Sequence, residues 1–424
     1  MQKKFNIINK NQFTKNNIIF FCGSAAVAFL NYLYHPVLSR LMAVEDFGEV
    51  QALISIYLQL GIILTVFGYI VVNIVSNDGR DDKKTEFVLK LEEIAYFLTF
   101  AVSFVIIIFS NNLKNYLNFH SFYPFIALAL LLITTVPLTF RTSYLQAKHL
   151  FWSLSLTGML FSGGKLLFAV LLVWFGLKSF GAIAGLVIAN GVALFYVIKK
   201  TKISILGSLS VFKKVFRTAI SDQMKKELKY GIFIFIILIS MTLLYTADVV
   251  IVRLYLPSTE AGLYSGVAVI ARIIFFATAS VSGVLLPSVK LSKSKENNKL
   301  LKMALFAVFL IGGTLLIIFS FFPEIIINLL ISSKYEAYSG ILPRASLFLF
   351  LSSIANILFT YCIALRKYFA AYIAGFGVFI VFVLSLLNHA SAFAIVNNFI
   401  ITNFSILSGL VIWLSYERLQ LKHE

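Results

Sequence analysis

Charge is what this sequence has least of. Asp, Glu, Lys and Arg make up 13% of its 424 residues, against about a quarter in a soluble globular chain. Acid is scarcer than base, 18 residues against 36, which leaves a formal charge of +18. Cysteine occurs twice, as Cys22 and Cys362, each inside an apolar run. Both read as packing residues, not as a disulfide or a metal site, and say nothing about redox compartment. The five histidines show no HExxH or other ligand spacing, so neither a metal nor a cofactor is expected. These shortages exclude a water-soluble enzyme, a disordered protein and a secreted disulfide scaffold.

Apolar side chains fill the space that charge leaves. The chain is 60% hydrophobic and 15% aromatic, with a mean hydropathy of +0.92. Twelve runs are long enough to cross a bilayer, at about 17–39, 48–75, 94–110, 122–140, 152–175, 180–198, 230–253, 262–289, 303–322, 345–365, 368–388 and 393–416. Each is close to the ~20 residues that a ~30 Å hydrocarbon core demands. They are expected to be helices, because backbone polar groups in lipid must be satisfied within their own segment. The fold class expected is an all-α polytopic membrane protein. The first run follows Lys3, Lys4, Lys10 and Lys15, and Ala26-Val27-Ala28 imitates a cleavage site. Its continuation to Leu38 is too long for a signal peptide, so an uncleaved helix is expected.

The basic residues set an orientation. With the N-terminus cytoplasmic, 28 of the 36 fall in cytoplasmic segments, 6 in outer loops, and Lys165 and Arg272 within spans. That bias predicts a multi-pass plasma (inner) membrane protein with both termini in the cytoplasm. Nucleic acid is not an expected partner, because the basic residues flank spans as topology signals do.

The longest polar interruption, 199–229, carries nine basic residues. Phe212, Phe216, Ile220, Met224 and Leu228 recur there at four-residue spacing. It reads both as a linker and as an amphipathic helix lying on anionic inner-leaflet lipids. It divides the chain into an N-terminal six-helix lobe, 1–198, and a C-terminal one, 230–424. The lobes look related. Arg40-Leu41 precedes Glu45-Asp46-Phe47-Gly48 after the first span, and Arg253-Leu254 precedes Glu260-Ala261-Gly262 after the seventh. Six spans per half make them parallel repeats about an axis along the membrane normal.

The stretches RLMAVEDFGEV (40–50) and ADVVIVRLYLPSTEAGLYSGVAVIARI (247–273), with Pro287 beyond, resemble polysaccharide flippases of the multidrug/oligosaccharidyl-lipid/polysaccharide exporter superfamily. The resemblance implies a V-shaped pair of six-helix lobes. It also implies a lipid-linked oligosaccharide substrate, usually on a polyprenyl diphosphate, carried from the inner to the outer leaflet by alternating access. Glycan polymerase machinery is a further partner on that reading.

Three charged side chains fall inside the expected spans, away from their terminal residues, where each costs roughly 2.5–3.5 kcal/mol on insertion scales. Lys165 and Arg272 lie near the midplane, and Asp248 lies nearer the outer end. Lys165 and Arg272 suit a cationic cavity for a diphosphate head, as a point charge and a forked donor respectively. Equally, Arg272 pairs with Asp248 to join two helices, and Lys165 beside Gly163-Gly164 snorkels from a close helix contact. Arg40 and Arg253 read as interfacial anchors or as exit-side phosphate contacts. Arg141, after Pro137, reads as a positive-inside residue or as a contact for an incoming head. His35-Pro36 marks an expected kink, and Asn31, Gln59, Asn73, Asn190 and Asn356 read mainly as interhelical glue. The competing function is a multidrug or metabolite exporter of the same superfamily. A membrane glycosyl transferase ranks low, because the longest outer loop, 323–343, has only Glu324 and Glu336 as acids.

The basic bias makes a topology prediction. Reporters fused at Lys213 and at the C-terminus read cytoplasmic, and a reporter at Lys334 reads exterior. A cytoplasmic signal at Lys334 overturns both the span count and the repeat.

Overall fold

The computed structural model describes residues 10–76, 82–201, 222–289 and 294–423. Among them the regular structure is helical throughout, with no strand. The helices are α1 (Lys10–Leu41), α2 (Val44–Ser76), α3 (Asp82–Ile108), α4 (Ser110–Tyr116), α5 (Tyr123–Ala147), α6 (Phe151–Leu172) and α7 (Lys178–Thr201). They continue as α8 (Asp222–Tyr255), α9 (Ser258–Ser288), α10 (Ser294–Phe321), α11 (Pro323–Leu330), α12 (Leu342–Ala364), α13 (Phe369–Leu387) and α14 (Ala392–His423). A 3-10 turn, Ser333–Ile341, leads into α12.

Ten helical runs among the described residues are long and apolar enough to cross a membrane, where the sequence suggested twelve. One of the ten, Phe151–Thr201, holds the fifth and sixth expected spans in succession. Within it a π turn, Val173–Leu177, joins α6 to α7, with Gly176 at φ 84°. Lys178 follows at φ 45°. Glycine suits that left-handed step because it has no Cβ.

Four of the seven prolines fall at or before helix starts, where they are readily tolerated. Pro124, Pro323 and Pro343 occupy first turns, where the missing N–H has no intrahelical partner to lose. Pro257 precedes α9, and Pro36, Pro137 and Pro287 lie inside helices.

Several helices start earlier than expected. α2 begins at Val44, so Glu45 and Asp46 occupy its first turn, where carboxylates meet the positive end of the helix dipole. α3 begins at Asp82 and not near 94, which brings Glu92 and Glu93 into the helix. The amphipathic helix expected over 199–229 lies mostly outside the described residues, which exclude 202–221.

The chain forms two compact units. The first comprises 1–41, 63–111 and 121–219, and the second 42–62, 112–120 and 220–424. The second thus draws in two segments, 42–62 and 112–120, that precede the linker in sequence. In the first unit, Leu64, Phe67 and Val71 pack with Leu91, Ala95, Val136 and Phe140. Small residues set the remaining contacts there. A Cβ on Gly158 would meet Val27, and one on Gly163 would meet Leu30, so α1 and α6 run parallel. Gly164 faces Ala189 and Gly185 faces Ala169, so α6 and α7 run antiparallel. This is the small-residue packing by which helices in lipid approach closely. In the second unit α12 is the core helix, packed against α9, α10 and α14. Gly266 of α9 lies directly beneath the ring of Tyr335.

Two glycines of α7 provide a matched test. A Cβ on Gly185 would come within 2.5 Å of the Ala169 backbone N, whereas one on Gly191 would meet nothing within 4 Å. Gly185→Ala is expected to destabilise the protein by about 1–3 kcal/mol through overpacking. Gly191→Ala is expected to be neutral or stabilising by up to about 1 kcal/mol. Thermal melts of the purified proteins in detergent measure both, and equal melting temperatures refute the close α6–α7 contact.

Candidate functional site

Four cations are buried among the described residues: Arg141, Lys165, Arg253 and Arg272. A charge removed from water requires a partner, and the four find very different ones.

Lys165 sits on α6 of the first unit and is 9% exposed. Its Nζ lies 4.7 Å from the centroid of the Tyr34 ring on α1. The Tyr34 hydroxyl in turn donates to the Ala182 carbonyl of α7 at 3.4 Å. Three helices therefore hold the ammonium against an aromatic face, a cation–π contact worth about 0.5–2 kcal/mol. Among the described residues, no carboxylate lies within ion-pair distance of it. Ser162 precedes Lys165 by three residues, on the same face of α6. Its Oγ is buried with no hydrogen-bond partner. An ammonium without a counter-charge, beside an unsatisfied hydroxyl, can receive an anion.

Arg272 of α9 does the opposite. It and Asp248 of α8 form a buried ion pair, with Nη2 to Oδ1 at 2.8 Å. Arg272 Nε also donates to the Tyr245 carbonyl at 3.1 Å, and Nη2 to that of Thr246 at 3.4 Å. The Tyr264 hydroxyl donates to the other Asp248 oxygen at 2.7 Å. Of the two readings of Arg272, this conformation displays the one that joins helices.

Arg253, at the C-terminal end of α8, is 0% exposed and so is not an interfacial anchor. Its Nε donates to the Leu117 carbonyl at 2.9 Å and its Nη2 to the Asn118 carbonyl at 2.8 Å. Its Nη1 donates to the Glu45 carbonyl at 3.3 Å. Nη2 also lies 3.4 Å from Glu49 Oε1, and the guanidinium covers the Phe119 ring at 4.6 Å. Asn118 has φ 53°, a left-handed conformation that asparagine tolerates better than most residues. It lies between the two consecutive carbonyls that meet the same guanidinium.

Glu49 also accepts from the His120 backbone N at 2.7 Å and lies 2.9 Å from His120 Nδ1. Asp46, Glu49 and His120 bring their ligand atoms within 4.8 Å of one another. That spacing suits a cation, and here the guanidinium of Arg253 supplies the positive charge.

Arg141 pairs with Glu92 of α3, both buried. Arg40 is exposed at the end of α1, where Nη1 donates to the Pro36 carbonyl at 3.3 Å. α1 runs through His35-Pro36 without interruption. The amides behave mainly as interhelical glue. Gln59 Nε2 donates to Thr246 Oγ1 at 3.0 Å, Asn190 Nδ2 to Thr134 and Thr135, and Asn356 Nδ2 to Ser282 Oγ at 2.9 Å.

Sequence reasoning overlooked Glu49, Asp46, His120 and Glu92 as partners. Glu49 falls one residue inside the span expected at 48–75, and an acid at that depth was the available signal. Nothing in the sequence pointed to Arg253 as its partner, 204 positions away.

The family model described as polysaccharide biosynthesis protein matches residues 13–290, more than half of the chain. No curated protein matches the sequence. Among the solved structures that share the fold are the following three. A multidrug resistance MATE family transporter of the MOP superfamily, in its inward-facing conformation, aligns with a TM-score of 0.68 at 11% identity, covering 94% of each chain. The lipid II flippase MurJ in an inward closed conformation aligns at 0.65 and 14% identity, covering 94% of this chain and 87% of MurJ. A point mutant of the Vibrio cholerae MATE transporter VcmN aligns at 0.60 and 17% identity, covering 97% of this chain and 96% of VcmN.

The buried Arg272–Asp248 pair generates a stability prediction. Arg272→Leu alone leaves the Asp248 carboxylate without its guanidinium and is expected to cost about 3–5 kcal/mol. Arg272→Leu combined with Asp248→Leu is expected to recover most of that loss. Denaturant midpoints of the single and double variants measure the recovery. A double variant no more stable than the single one sinks the pairing.

Proposed function

The chain belongs to the polysaccharide biosynthesis protein family, and on that premise we propose that it is a flippase for a lipid-linked oligosaccharide. It carries this cargo from the cytoplasmic to the outer leaflet by alternating access, for assembly of a cell-surface polysaccharide. On this reading both termini are cytoplasmic and twelve helices form two related six-helix lobes. The solved structures that share the fold are transporters and a flippase, not enzymes.

Lys165 carries the substrate assignment. A sugar linked to a polyprenyl diphosphate presents a compact double anion that must leave water to cross. Lys165 is the one buried cation of the four that has no carboxylate paired with it among the described residues. We assign it to the phosphate head, with Tyr34 holding the ammonium in place until cargo arrives. Arg272, Arg253 and Arg141 are already engaged by the protein, and Asp248 is bound on both oxygens. They therefore hold helices together in this conformation.

The exporter reading draws on the shared fold with multidrug transporters. A cation exporter would use buried carboxylates, and Asp248, Glu49 and Glu92 each already face an arginine. Glu93, 8% exposed and with Oε1 lacking a hydrogen-bond partner, is the acid that reading would need.

The two readings separate in a deletion strain that accumulates lipid-linked sugar in the inner leaflet. Loss of a charge-assisted contact costs about 1.5–3 kcal/mol, or roughly ten- to a hundredfold in affinity. Lys165→Gln is therefore expected to slow flipping by roughly that factor at equal membrane abundance. Lys165→Arg, which retains charge with a different shape, is expected to restore part of it. Near-normal flipping by Lys165→Gln rejects Lys165 as the head-group contact. Drug efflux lost through Glu93→Gln, with flipping absent throughout, establishes the exporter.

A further inference from the structure

The short helix α11 (Pro323–Leu330) lies between two apolar spans and belongs to neither. It follows α10, which buries the smallest share of its residues of any span among the described residues. Phe306, Leu310, Ile317 and Phe321 form an exposed apolar stripe along α10. No charged residue falls between Lys302 and Glu324. Lys302 to Phe321 covers about 29 Å at ~1.5 Å per residue, which matches a ~30 Å hydrocarbon core. α10 therefore uses up the core by Phe321, and the helix breaks at Phe322, where φ is −128° and ψ 47°.

Beyond that break α11 stays apolar on its outside. Ile325 and Leu329, 62% and 67% exposed, share one face. Phe322 is exposed at its start. Glu324 and Asn328 are exposed on a second face, about 100° round the helix. Asn328 Nδ2 donates to Glu336 Oε2 at 3.4 Å, which extends that polar side. Ile327 is 0% exposed on a third side, against the protein. A helix with one apolar face, one polar face and little charge suits the plane of a membrane boundary. The connection itself does not demand the apolar face. α4, the short helix after α3, exposes Asn111, Asn112 and Asn115 instead.

We propose that α11 is an interfacial helix that lies in the plane of the bilayer, with its Ile325–Leu329 face against lipid acyl chains at the headgroup boundary. Lipid is the occupant because this face continues the exposed stripe of α10 from the point where the core ends. Standing upright in line with α10, the helix would carry Leu329 about 12 Å into water. Lying flat, it keeps Ile325 and Leu329 among acyl chains and leaves Glu324 and Asn328 to water. The 3-10 turn that follows is fixed to the start of α2. Lys334 Nζ donates to the Met42 carbonyl at 3.1 Å, and the Tyr335 and Phe47 ring centroids lie 5.7 Å apart. Lipid contact by α11 thereby sets the level of that turn in the membrane. On the expected topology this is the outer leaflet, the one that receives the cargo. The proposal rests on the chain spanning a membrane and not on the cargo assigned to it.

The test uses the full-length protein with Cys22→Ser, in cargo-free vesicles of phosphatidylcholine and phosphatidylglycerol. Cys362, 0% exposed, stays in place, and the protein without a further cysteine gives the blank. Nitroxides are placed one at a time at Glu324→Cys, Ile325→Cys, Asn328→Cys and Leu329→Cys, all exposed positions. Collisions are read with oxygen, which enters the bilayer, and with a water-soluble nickel chelate, which does not. Ile325 and Leu329 are expected to read about 5–10 Å below the headgroup level, shielded from nickel. Glu324 and Asn328 are expected to stay open to nickel. Nickel access at Leu329 equal to that at Asn328 puts the face in water and overturns the proposal. Exclusion of nickel from all four positions puts the whole helix in the core and overturns it as well. Exclusion of both reagents from Leu329, relieved by dilution to a single chain per vesicle, makes a second copy the occupant in place of lipid and also overturns it. None of these outcomes bears on the flippase reading, and near-normal flipping by Lys165→Gln does not bear on α11.

Discussion

Placing a charge where water is excluded is the constraint on which this structure depends. Every buried ion needs a partner, and the chain supplies most of them internally. Arg272 answers Asp248, Arg253 answers Glu49, and Arg141 answers Glu92. Each pair crosses between helices, so each fixes a helix position as well as a charge. Replacing both members by apolar groups is often harmless, whereas removing one is not. These pairs therefore act less as net stabilisers than as penalties against wrong arrangements.

Lys165 gains its significance by contrast. An ammonium over an aromatic ring is compensated weakly compared with one against a carboxylate. The residual charge makes its surroundings attractive to an anion. Tyr34 serves both ends of this arrangement, with its ring beneath the ammonium and its hydroxyl anchored on α7.

The Arg253 cluster shows how one guanidinium can organise a junction. Its three nitrogens reach two adjacent carbonyls of a left-handed turn, the first turn of α2 and a buried carboxylate. Donors of that number in a fixed planar fork are specific to arginine. Small residues at Gly48 and Gly262 let the backbones close around it. The exposed imidazole then connects a buried electrostatic network to solvent.

Much of the architecture was legible in the sequence because lipid imposes simple rules. Long apolar runs had to be helices, and charges within runs had to matter. Lys165, Arg272 and Asp248 were identified on that ground alone, and the Arg272–Asp248 pairing was among the readings. Helix starts were less legible: hydropathy fades at Val44 and Asp82 before the helix does, which concealed Glu45, Asp46, Glu92 and Glu93. Only tertiary structure decided which charges are answered and which is left over. Glu49 meets Arg253 across 204 positions, and Tyr34 meets Lys165 across a helix contact. Local pattern fixes what a helix is, because its hydrogen bonds are its own. Partner choice depends on how helices pack, which no single segment encodes.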